Sequence, residues 1–576
     1  MSRNCGGMIM LAVIVFVVCL INSGESVEYK IVKTKNGAVR GISDTTMMKN
    51  VSFYSFKGIP YAKAPIGELR FKAPEPDKSW APAILNATAH GKNCLRTTAF
   101  DNDTQSQSEN CLFLNIYVPA DVQPGEKLAV LVFIHGGSFL AGSGDDDFYG
   151  PDFIVEKRTI LVTLNYRLGI FGFITFNAPE YSGNMALKDQ QLALKWTHEN
   201  IERFSGDPNR ITLFGQSAGG VLANFQILSK ESRKYFRNAI VMSGTTDNMW
   251  AISDSNKLFD FAHKIARETG NPQETIDGLI KFFKQAPAEK IVNYLNDPSY
   301  VRRNPLTIYA PIIEKPDAVR PFITKYPEEI YDECNINTDV IFSLCSLEFV
   351  TSYASETLIS LEELDRNFSL PLPFREAIDL SYDSPEYKKL ATEIRQFYFK
   401  DAAVNEQTLK QYLELFSDVY YGYGIDKSAK LHAAKSSADA FLYQFSVKSI
   451  LNLSTRINPN ANLTVYGAGH GDDLCYIFGC RQYRSFYNEV FSTPNDEQSK
   501  VSLKTFEDMS TLFTNFAKYG KPIRNGKPIK GFKPIRKNRV NFLDFTNDGL
   551  ALGVNPNKKA IEFWTYIGQE LNEIVT

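Results

Sequence analysis

One stretch, residues 211–220, constrains the fold of this chain more than any other segment. It reads ITLFGQSAGG, an apolar run that leads into a G-x-S-x-G motif centred on Ser217. Gly215 and Gly219 let backbone segments approach each other where any Cβ would clash. The apolar run before the motif and a plausible helix after it predict a sharp strand-to-helix turn that exposes the hydroxyl of Ser217.

A histidine downstream of Ser217 is the predicted base. A serine hydroxyl is a weak nucleophile, so it needs a base, and the base needs an orienting acid. When the serine lies on such a turn, the acid and then the histidine follow it along the chain. His263 and His432 lie in helix-like patterns and are interpreted as ordinary helix residues. His470 lies in a glycine-rich loop, GAGHGDD, that can bring backbone close to a pocket, so we predict it to be the base.

The acid is expected just past the end of a strand, between Ser217 and His470. Residues 338–344 read as a buried strand, and Glu348 follows it closely. Active-site groups of an α/β sheet gather at the carboxyl ends of its strands. Glu348 is therefore the predicted acid. The alternatives in this region, each more typical of a surface charge, are Asp332, Glu333 and Asp339.

A His-Gly-Gly turn supplies candidate donors for a tetrahedral oxyanion. Residues 131–139, LVFIHGGSF, read as a strand that runs into this turn. We predict that the backbone N–H groups of Gly137, Ser138 and Ala218 line the oxyanion hole. His135 stands at the start of the turn and is predicted to support the loop rather than act as a base.

Alternating strand-like and helix-like patterns predict an α/β fold. Strand-like runs at 51–58, 111–118, 128–134 and 159–164 precede a helical pattern at 187–200. We expect a mostly parallel central sheet with helices on both faces. The segments 254–331 and 358–435 are mostly helical and charged, so we predict helical insertions that cap the active site within a single domain, residues 27–576.

The N-terminus predicts export. Arg3 precedes an apolar run at 8–21 and then small residues, a pattern typical of a secretory signal peptide over residues 1–26. No later stretch reaches about 18 apolar residues, so we expect no membrane anchor and an extracellular protein. Six N-x-S/T sequons are glycosylation candidates, at Asn50, Asn86, Asn102, Asn367, Asn452 and Asn462. Six cysteines remain after Cys5 and Cys19 are removed with the peptide, and fifteen disulfide connectivities are open to them.

Charge and spacing exclude several function classes. The formal net charge is −2, which gives no reason to expect a nucleic-acid partner. The cysteine and histidine spacings hold neither paired CxxC motifs nor HExxH, so we expect no metal site. Acyl transfer by a serine, a histidine and an acid needs no cofactor.

Taken together, these motifs resemble the type-B carboxylesterases, that is, the carboxylesterase/cholinesterase family of α/β-hydrolases, and secreted insect esterases among them. Further matches are FKGIPYA at 56–62, SENCLFLN at 108–115, NYRLG at 165–169, LKDQ at 187–190 and GHGD at 469–472. The resemblance implies an acyl-enzyme on Ser217, a triad completed by Glu348 and His470, and a small-molecule carboxylic ester as substrate. It also implies a disulfide between Cys94 and Cys111.

The chain departs from the family pattern after the acid and in the oxyanion loop. Phe349 and Ser343 stand where the family commonly has glycine, and Ser138 stands where it has glycine or alanine. Cholinesterases place a tryptophan shortly after the first disulfide cysteine to bind a cation. Residues 94–100 read CLRTTAF, which disfavours cholinesterase activity.

Two residues bear on the substrate. The position of Trp250 resembles one that lines the acyl pocket in insect esterases. The alternative interpretation of Trp250 is a buried aromatic residue of the core. Most relatives have glutamate at the position of Gln216; glutamine there resembles juvenile hormone esterases, and other secreted insect esterases share it. The alternative function is a non-catalytic, cholinesterase-like binding or adhesion protein on the same fold. Because Ser217 and His470 are both present, the sequence favours an enzyme.

Overall fold

The computed structural model describes residues 28–96, 106–294, 309–354, 360–377, 380–457, 466–536 and 539–575. The predicted signal peptide lies outside these residues, as do the sequons at Asn102 and Asn462. None of the described helices combines the length and the apolar character that a bilayer span requires.

A large mixed sheet forms the centre of the described chain. The strands are β1 (Tyr29–Lys33), β2 (Ala38–Thr45), β3 (Ser52–Pro60), β4 (Ile84–Asn86), β5 (Asn93–Cys94), β6 (Gln107–Ser108), β7 (Phe113–Pro119), β8 (Leu128–Ile134), β9 (Ile160–Leu164), β10 (Gly206–Gln216), β11 (Asn238–Met242), β12 (Asp339–Cys345), β13 (Ala440–Phe445), β14 (Ile523–Arg524), β15 (Lys527–Pro528), β16 (Asn541–Thr546) and β17 (Gly549–Val554). The order in the central sheet is β1-β2-β3-β7-β9-β8-β10-β11-β12-β13-β16-β17, with β4 beside β2. β5 pairs with β6 in a separate two-stranded sheet, and β14 pairs with β15 in another. The block from β9 to β16 is parallel throughout, and antiparallel strands extend it on both sides. The predicted α/β fold is confirmed.

Helices cover this sheet and fill the connections between its strands. The described helices are Asp152–Val155, Gly169–Phe173, Met185–Asn200, Ala218–Leu228, Ser255–Glu268, Ile276–Gln285, Ala288–Tyr294, Pro327–Glu333, Phe349–Ala354, Leu361–Arg366, Pro385–Phe399, Leu409–Ser417, Tyr423–Lys435, Leu453–Ile457, Arg484–Ser492, Glu497–Tyr519 and Lys558–Val575, with a π-helical turn at Asp418–Gly422. The segments predicted as helical insertions, 254–331 and 358–435, contain eight of these helices within their described residues.

The central strands are apolar on both faces because both faces are covered. Every residue of β8 is buried. Val130 and Val132 belong to the hydrophobic cluster on one face of the sheet, and the alternating Leu131 and Phe133 belong to the cluster on the other. An uninterrupted apolar run of this kind is typical of a parallel strand between two helical layers.

The carboxyl ends of three parallel strands gather the predicted site. β8 ends directly before His135, β10 ends directly before Ser217, and β12 ends three residues before Glu348. The register pairs Gly215 of β10 with Ile134 of β8, so the two strand ends lie side by side. This edge is where an open α/β sheet places its ligands.

Among the described residues, two disulfides link buried cysteines. Cys94 pairs with Cys111, the bond that the family resemblance implies, and Cys475 pairs with Cys480. Cys334 and the buried Cys345 carry no disulfide. Of the described sequons, those at Asn50, Asn86 and Asn367 are exposed.

Candidate active site

The backbone at Ser217 has the conformation that the motif predicts. Ser217 joins β10 to the helix Ala218–Leu228 with φ 59° and ψ −128°, which a non-glycine residue adopts only at a cost. A Cβ on Gly215 would lie 2.1 Å from the carbonyl oxygen of Gly219, and a Cβ on Gly219 would lie 2.1 Å from that of Ile134. Both positions therefore require glycine. Ser217 is more exposed than its buried neighbours.

Glu348 and His470 face each other beside this turn. Nδ1 of His470 lies 2.7 Å from Oε2 of Glu348, and its backbone N–H donates to the carbonyl of Glu348 at 2.9 Å. The carboxylate is buried, and its Oε1 accepts a hydrogen bond of 2.7 Å from the backbone N–H of Cys345. Because a carboxylate only accepts, Nδ1 carries the proton and Nε2 is left with a lone pair.

The amide of Gln216 meets that second nitrogen. Nε2 of Gln216 lies 3.2 Å from Nε2 of His470, so the NH₂ group donates to the imidazole lone pair. Gln216 directly precedes Ser217, and this contact therefore brings the imidazole to the strand-to-helix turn. The sequence marked Gln216 only as a clue to the substrate; its contact with a residue 254 positions away is a finding of the structure.

The other acids and histidines of the sequence analysis lie elsewhere. Asp332 and Glu333 are exposed and pair with surface lysines, and Asp339 begins β12 at the end opposite to Glu348. His263 and His432 both lie in helices. His432 is buried with hydrogen bonds at both nitrogens, and burial lowers its pKa to about 4.

Asp472 anchors the loop that carries His470. Its buried carboxylate accepts hydrogen bonds from the N–H of Gly469 (2.7 Å), from the N–H and Oγ of Ser454 (2.9 and 2.8 Å) and from Nδ2 of Asn452 (2.9 Å). Burial raises the pKa of this carboxyl, and the four donors oppose that rise. The motif GHGD contains Asp472, but the pattern alone gives no sign of the four hydrogen bonds that its carboxylate accepts.

The hydrogen bonds around Asp472 exclude one of the predicted glycosylation sites. Asn452 is fully buried, and its Nδ2 donates both to Asp472 and to the carbonyl of Val447. A glycan on that nitrogen would remove a donor and could not fit in the core. The sequon at Asn452 is therefore not a glycosylation site of the folded chain, because a tripeptide pattern carries no information about burial.

The His-Gly-Gly turn packs directly against the nucleophile strand. A Cβ on Gly136 would lie 2.7 Å from the carbonyl oxygen of Gln216 and 3.0 Å from the Cβ of Ser217. Gly137 and Ser138 follow with φ values of 114° and 54°, so this loop bends sharply beside Ser217. A Cβ on Gly137 would meet the carbonyl of Ala141 at 2.2 Å, which makes this position a glycine as well.

His135 supports that loop. Its Nδ1 lies 2.8 Å from the carbonyl oxygen of Gly136, and its ring stacks on Tyr166 with centroids 4.3 Å apart. The hydroxyl of Tyr166 donates to the carbonyl of His135 at 2.7 Å. Burial lowers the pKa of His135 to about 4, so the ring is neutral at physiological pH.

Trp250 lies between the His-Gly-Gly loop and the helical insertions. Its ring centroid is 6.1 Å from that of Phe139 and 6.0 Å from that of Tyr421. Its Nε1–H donates to the carbonyl of Tyr420 at 2.7 Å, and only 4% of the residue is exposed. A role for Trp250 in substrate binding stays a prediction.

The described residues contain no group of three or more histidine, cysteine, aspartate or glutamate side chains that could hold a metal ion. The groups gathered at this site are a strained serine, a carboxylate–imidazole pair and a glycine-rich loop beside them.

Comparison with known proteins assigns the family. Residues 28–564 match the carboxylesterase family. The juvenile hormone esterase of Tribolium castaneum is 33% identical over 514 residues (86% of this chain and 84% of that protein), and esterase E4 of Myzus persicae is 30% identical over 534 residues (91% of each). The crystal structure of juvenile hormone esterase from Manduca sexta, with OTFP covalently attached, superposes with a TM-score of 0.82 at 28% identity and covers 94% of this chain and 100% of that one. The chain therefore belongs to the carboxylesterase family, and it is a carboxylic ester hydrolase.

Proposed function

We propose that this chain is a secreted serine esterase that hydrolyses uncharged carboxylic esters through an acyl-enzyme on Ser217. The observation that carries the proposal is the 2.7 Å contact between Nδ1 of His470 and the buried carboxylate of Glu348, beside a serine in the strained conformation. That contact fixes the tautomer in which Nε2 can accept a proton.

The mechanism follows from these groups. Nε2 of His470 takes the proton of Ser217 as Oγ attacks the ester carbonyl, and Glu348 stabilises the imidazolium that forms. The N–H groups of Gly137, Ser138 and Ala218 would donate to the oxyanion. The alcohol leaves with the proton from Nε2, and a water molecule repeats both steps on the acyl-enzyme. In the structure the amide of Gln216 occupies the lone pair of Nε2, so it must give way to the hydroxyl of Ser217, and later to water, before each proton transfer.

The proposed secretion rests on three features. They are the N-terminal pattern of one arginine and an apolar run, the exposed sequons, and the two disulfides. Disulfides persist mainly in oxidising compartments, which agrees with an extracellular protein.

Juvenile hormone is the more specific substrate proposal. Gln216 and the similarity to the juvenile hormone esterases of Tribolium castaneum and Heliothis virescens support it. The buried rings of Trp250 and Phe139 pack beside the proposed oxyanion loop, and such an apolar neighbourhood suits an uncharged ester.

A substrate panel tests both levels of the proposal. We expect the purified protein to hydrolyse a short aryl ester and juvenile hormone, to leave acetylthiocholine nearly untouched, and to lose all turnover in Ser217→Ala. Equal turnover by wild type and Ser217→Ala would overturn the serine mechanism. If kcat/KM for juvenile hormone is no higher than for other aliphatic esters, the proposed esterase activity still stands, but juvenile hormone is rejected as the specific substrate. No turnover of any ester would favour the non-catalytic binding protein.

A further inference from the structure

The imidazole of His470 is held from three directions. Glu348 binds one ring nitrogen, Gln216 approaches the other, and the ring of Tyr421 covers one face with centroids 4.6 Å apart and planes inclined by 36°. A hydrogen bond through one ring atom leaves a ring free to turn about the axis of that bond, whereas a face contact restricts this rotation. Tyr421 is itself only 8% exposed, and its hydroxyl hydrogen-bonds to Ser352.

A π-helical turn sets the direction of the Tyr421 side chain. The turn Asp418–Gly422 joins the helices Leu409–Ser417 and Tyr423–Lys435 into one continuous segment. A π-helical turn closes i→i+5 hydrogen bonds and holds about one residue more than an α-helical turn. One extra residue rotates the side chains on either side of it by about 100° relative to each other, since an α-helix has 3.6 residues per turn. The turn therefore decides which side chain of this segment faces His470.

Side chains from outside the segment hold the carbonyls of the turn. Nδ2 of Asn248 donates to the carbonyl oxygens of Tyr420 (2.9 Å) and Tyr421 (3.0 Å), and Nε1 of Trp250 donates to that of Tyr420 (2.7 Å). Gly424 permits this approach, because a Cβ there would lie 2.7 Å from Nδ2 of Asn248. A buried carbonyl that is bonded from outside needs no α-helical partner, so these contacts stabilise the π-helical geometry.

The segment that carries Tyr421 also packs against the residue that follows Glu348, the proposed acid. Phe349, which follows Glu348, stacks on Phe416 (centroids 4.8 Å apart) and on Tyr420 (5.8 Å). Its backbone N–H donates to Oγ of Ser417 at 3.0 Å. Phe349 is one of the positions where this chain departs from the glycine common in the family, and a glycine here would make neither ring contact.

We propose that residues 416–421 are the common support of the acid and the base, and that Tyr421 is the positioning residue that fixes the plane of the His470 ring. The inference rests on the proposed triad and deepens it. A ring held in plane keeps Nε2 aimed at the turn that carries Ser217, so fewer conformations are lost when the proton is transferred.

Removal of the Tyr421 ring tests this proposal. Tyr421→Leu should lower kcat for 4-nitrophenyl acetate by about threefold to tenfold, the range for one aromatic pair, while KM changes less than about twofold. The low-field proton NMR resonance of the Nδ1–H between His470 and Glu348 should broaden in this variant. Tyr421→Phe keeps the ring and should restore both the rate and a sharp resonance.

Two further variants separate positioning from loss of packing. Phe204→Leu removes another buried ring, which packs on Phe56 just before the amino end of β10, whereas Ser217 follows the carboxyl end of that strand; this variant should leave kcat and the resonance unchanged. Asn248→Ala keeps the Tyr421 ring but removes two bonds to the turn, and it should act in the same direction as Tyr421→Leu; it serves as the test if Tyr421→Leu does not fold.

The outcomes are distinct. A wild-type rate and resonance in Tyr421→Leu, or in Asn248→Ala where that variant replaces it, would overturn the positioning role, and so would an equal loss in Phe204→Leu. The proposed esterase mechanism would still stand in either case, because it is tested by Ser217→Ala. Failure of that mechanism would show instead as turnover that survives Ser217→Ala.

Discussion

Replacement of Glu348 by glutamine exchanges one oxygen of a buried side chain for an amide nitrogen at nearly constant volume. The backbone N–H of Cys345 donates to Oε1, and Nδ1 of His470 donates to Oε2. Because the N–H of Cys345 needs an acceptor, the amide oxygen of the variant faces Cys345, and its NH₂ group faces Nδ1. Nδ1 must then accept, which leaves the proton on Nε2, where the ring cannot take the proton of Ser217.

Two losses add in this variant. The imidazole begins in the wrong tautomer, and the imidazolium that forms in the transition state loses a carboxylate 2.7 Å away. A change of this kind in a serine–histidine–carboxylate triad lowers kcat by about 10⁴-fold, which corresponds to about 5 kcal/mol. Folding should be little affected, since the amide keeps the bond to Cys345 and removes the desolvation cost of a buried charge.

The assay is steady-state release of 4-nitrophenol at neutral pH, with the thermal unfolding midpoint measured on the same samples. Glu333→Gln is the matched control, because Glu333 is an exposed glutamate paired with Lys325, and this variant should keep wild-type kcat. A loss smaller than about tenfold in Glu348→Gln, at an unchanged unfolding midpoint, would refute the tautomer argument. An equal loss in Glu333→Gln would refute the choice of acid.

Three further perturbations follow from the contacts. Gly219→Ala would place a methyl carbon 2.1 Å from a carbonyl oxygen of β8. We therefore expect ester hydrolysis to be lost and the free energy of unfolding to fall by about 1–3 kcal/mol. Turnover and thermal melting measure the two effects, and wild-type values for both would contradict this. Burial raises the pKa of Asp418 to about 7, above its unfolded value of 3.8, so the protein loses stability as pH rises between these values. Asp418→Asn should therefore melt at a higher temperature than wild type above pH 7 and at a similar temperature near pH 4. A difference in melting temperature between the two proteins that does not change with pH would contradict the raised pKa of Asp418. Cys94→Ser with Cys111→Ser opens a loop of 17 residues and should cost about 3 kcal/mol in urea unfolding measured without reducing agent, and a wild-type free energy of unfolding in the variant would contradict this.

Local steric requirements explain what the sequence could predict. Gly215 and Gly219 are needed because their backbones touch carbonyl oxygens at the turn, and that requirement shows as a short motif. Glu348 is the predicted acid because an apolar run ends four residues before it, and the observed strand, Asp339–Cys345, begins and ends one residue later than the predicted 338–344. His470 stood out by chain order and its glycine neighbours.

Contacts between distant segments explain what the sequence could not predict. The π-helical turn has no local pattern, because DVYYG reads as ordinary helix and the extra residue is held by Asn248 and Trp250. The bond between Gln216 and His470 depends on how a loop returns to the sheet, and the burial of Asn452 depends on its partner Asp472. Each of these features is decided by tertiary packing rather than by neighbours in the sequence.

Covalent labelling of Ser217 tests the central claim most directly. After incubation with a dialkyl organophosphate, peptide mass spectrometry should find one phosphoryl group per chain, on the peptide that carries Ser217, together with complete loss of ester hydrolysis. His470→Ala should be labelled far more slowly, because Nε2 no longer takes the proton of the serine. An inactivated protein labelled at another residue, or a protein that stays active while Ser217 is fully phosphorylated, would contradict the account.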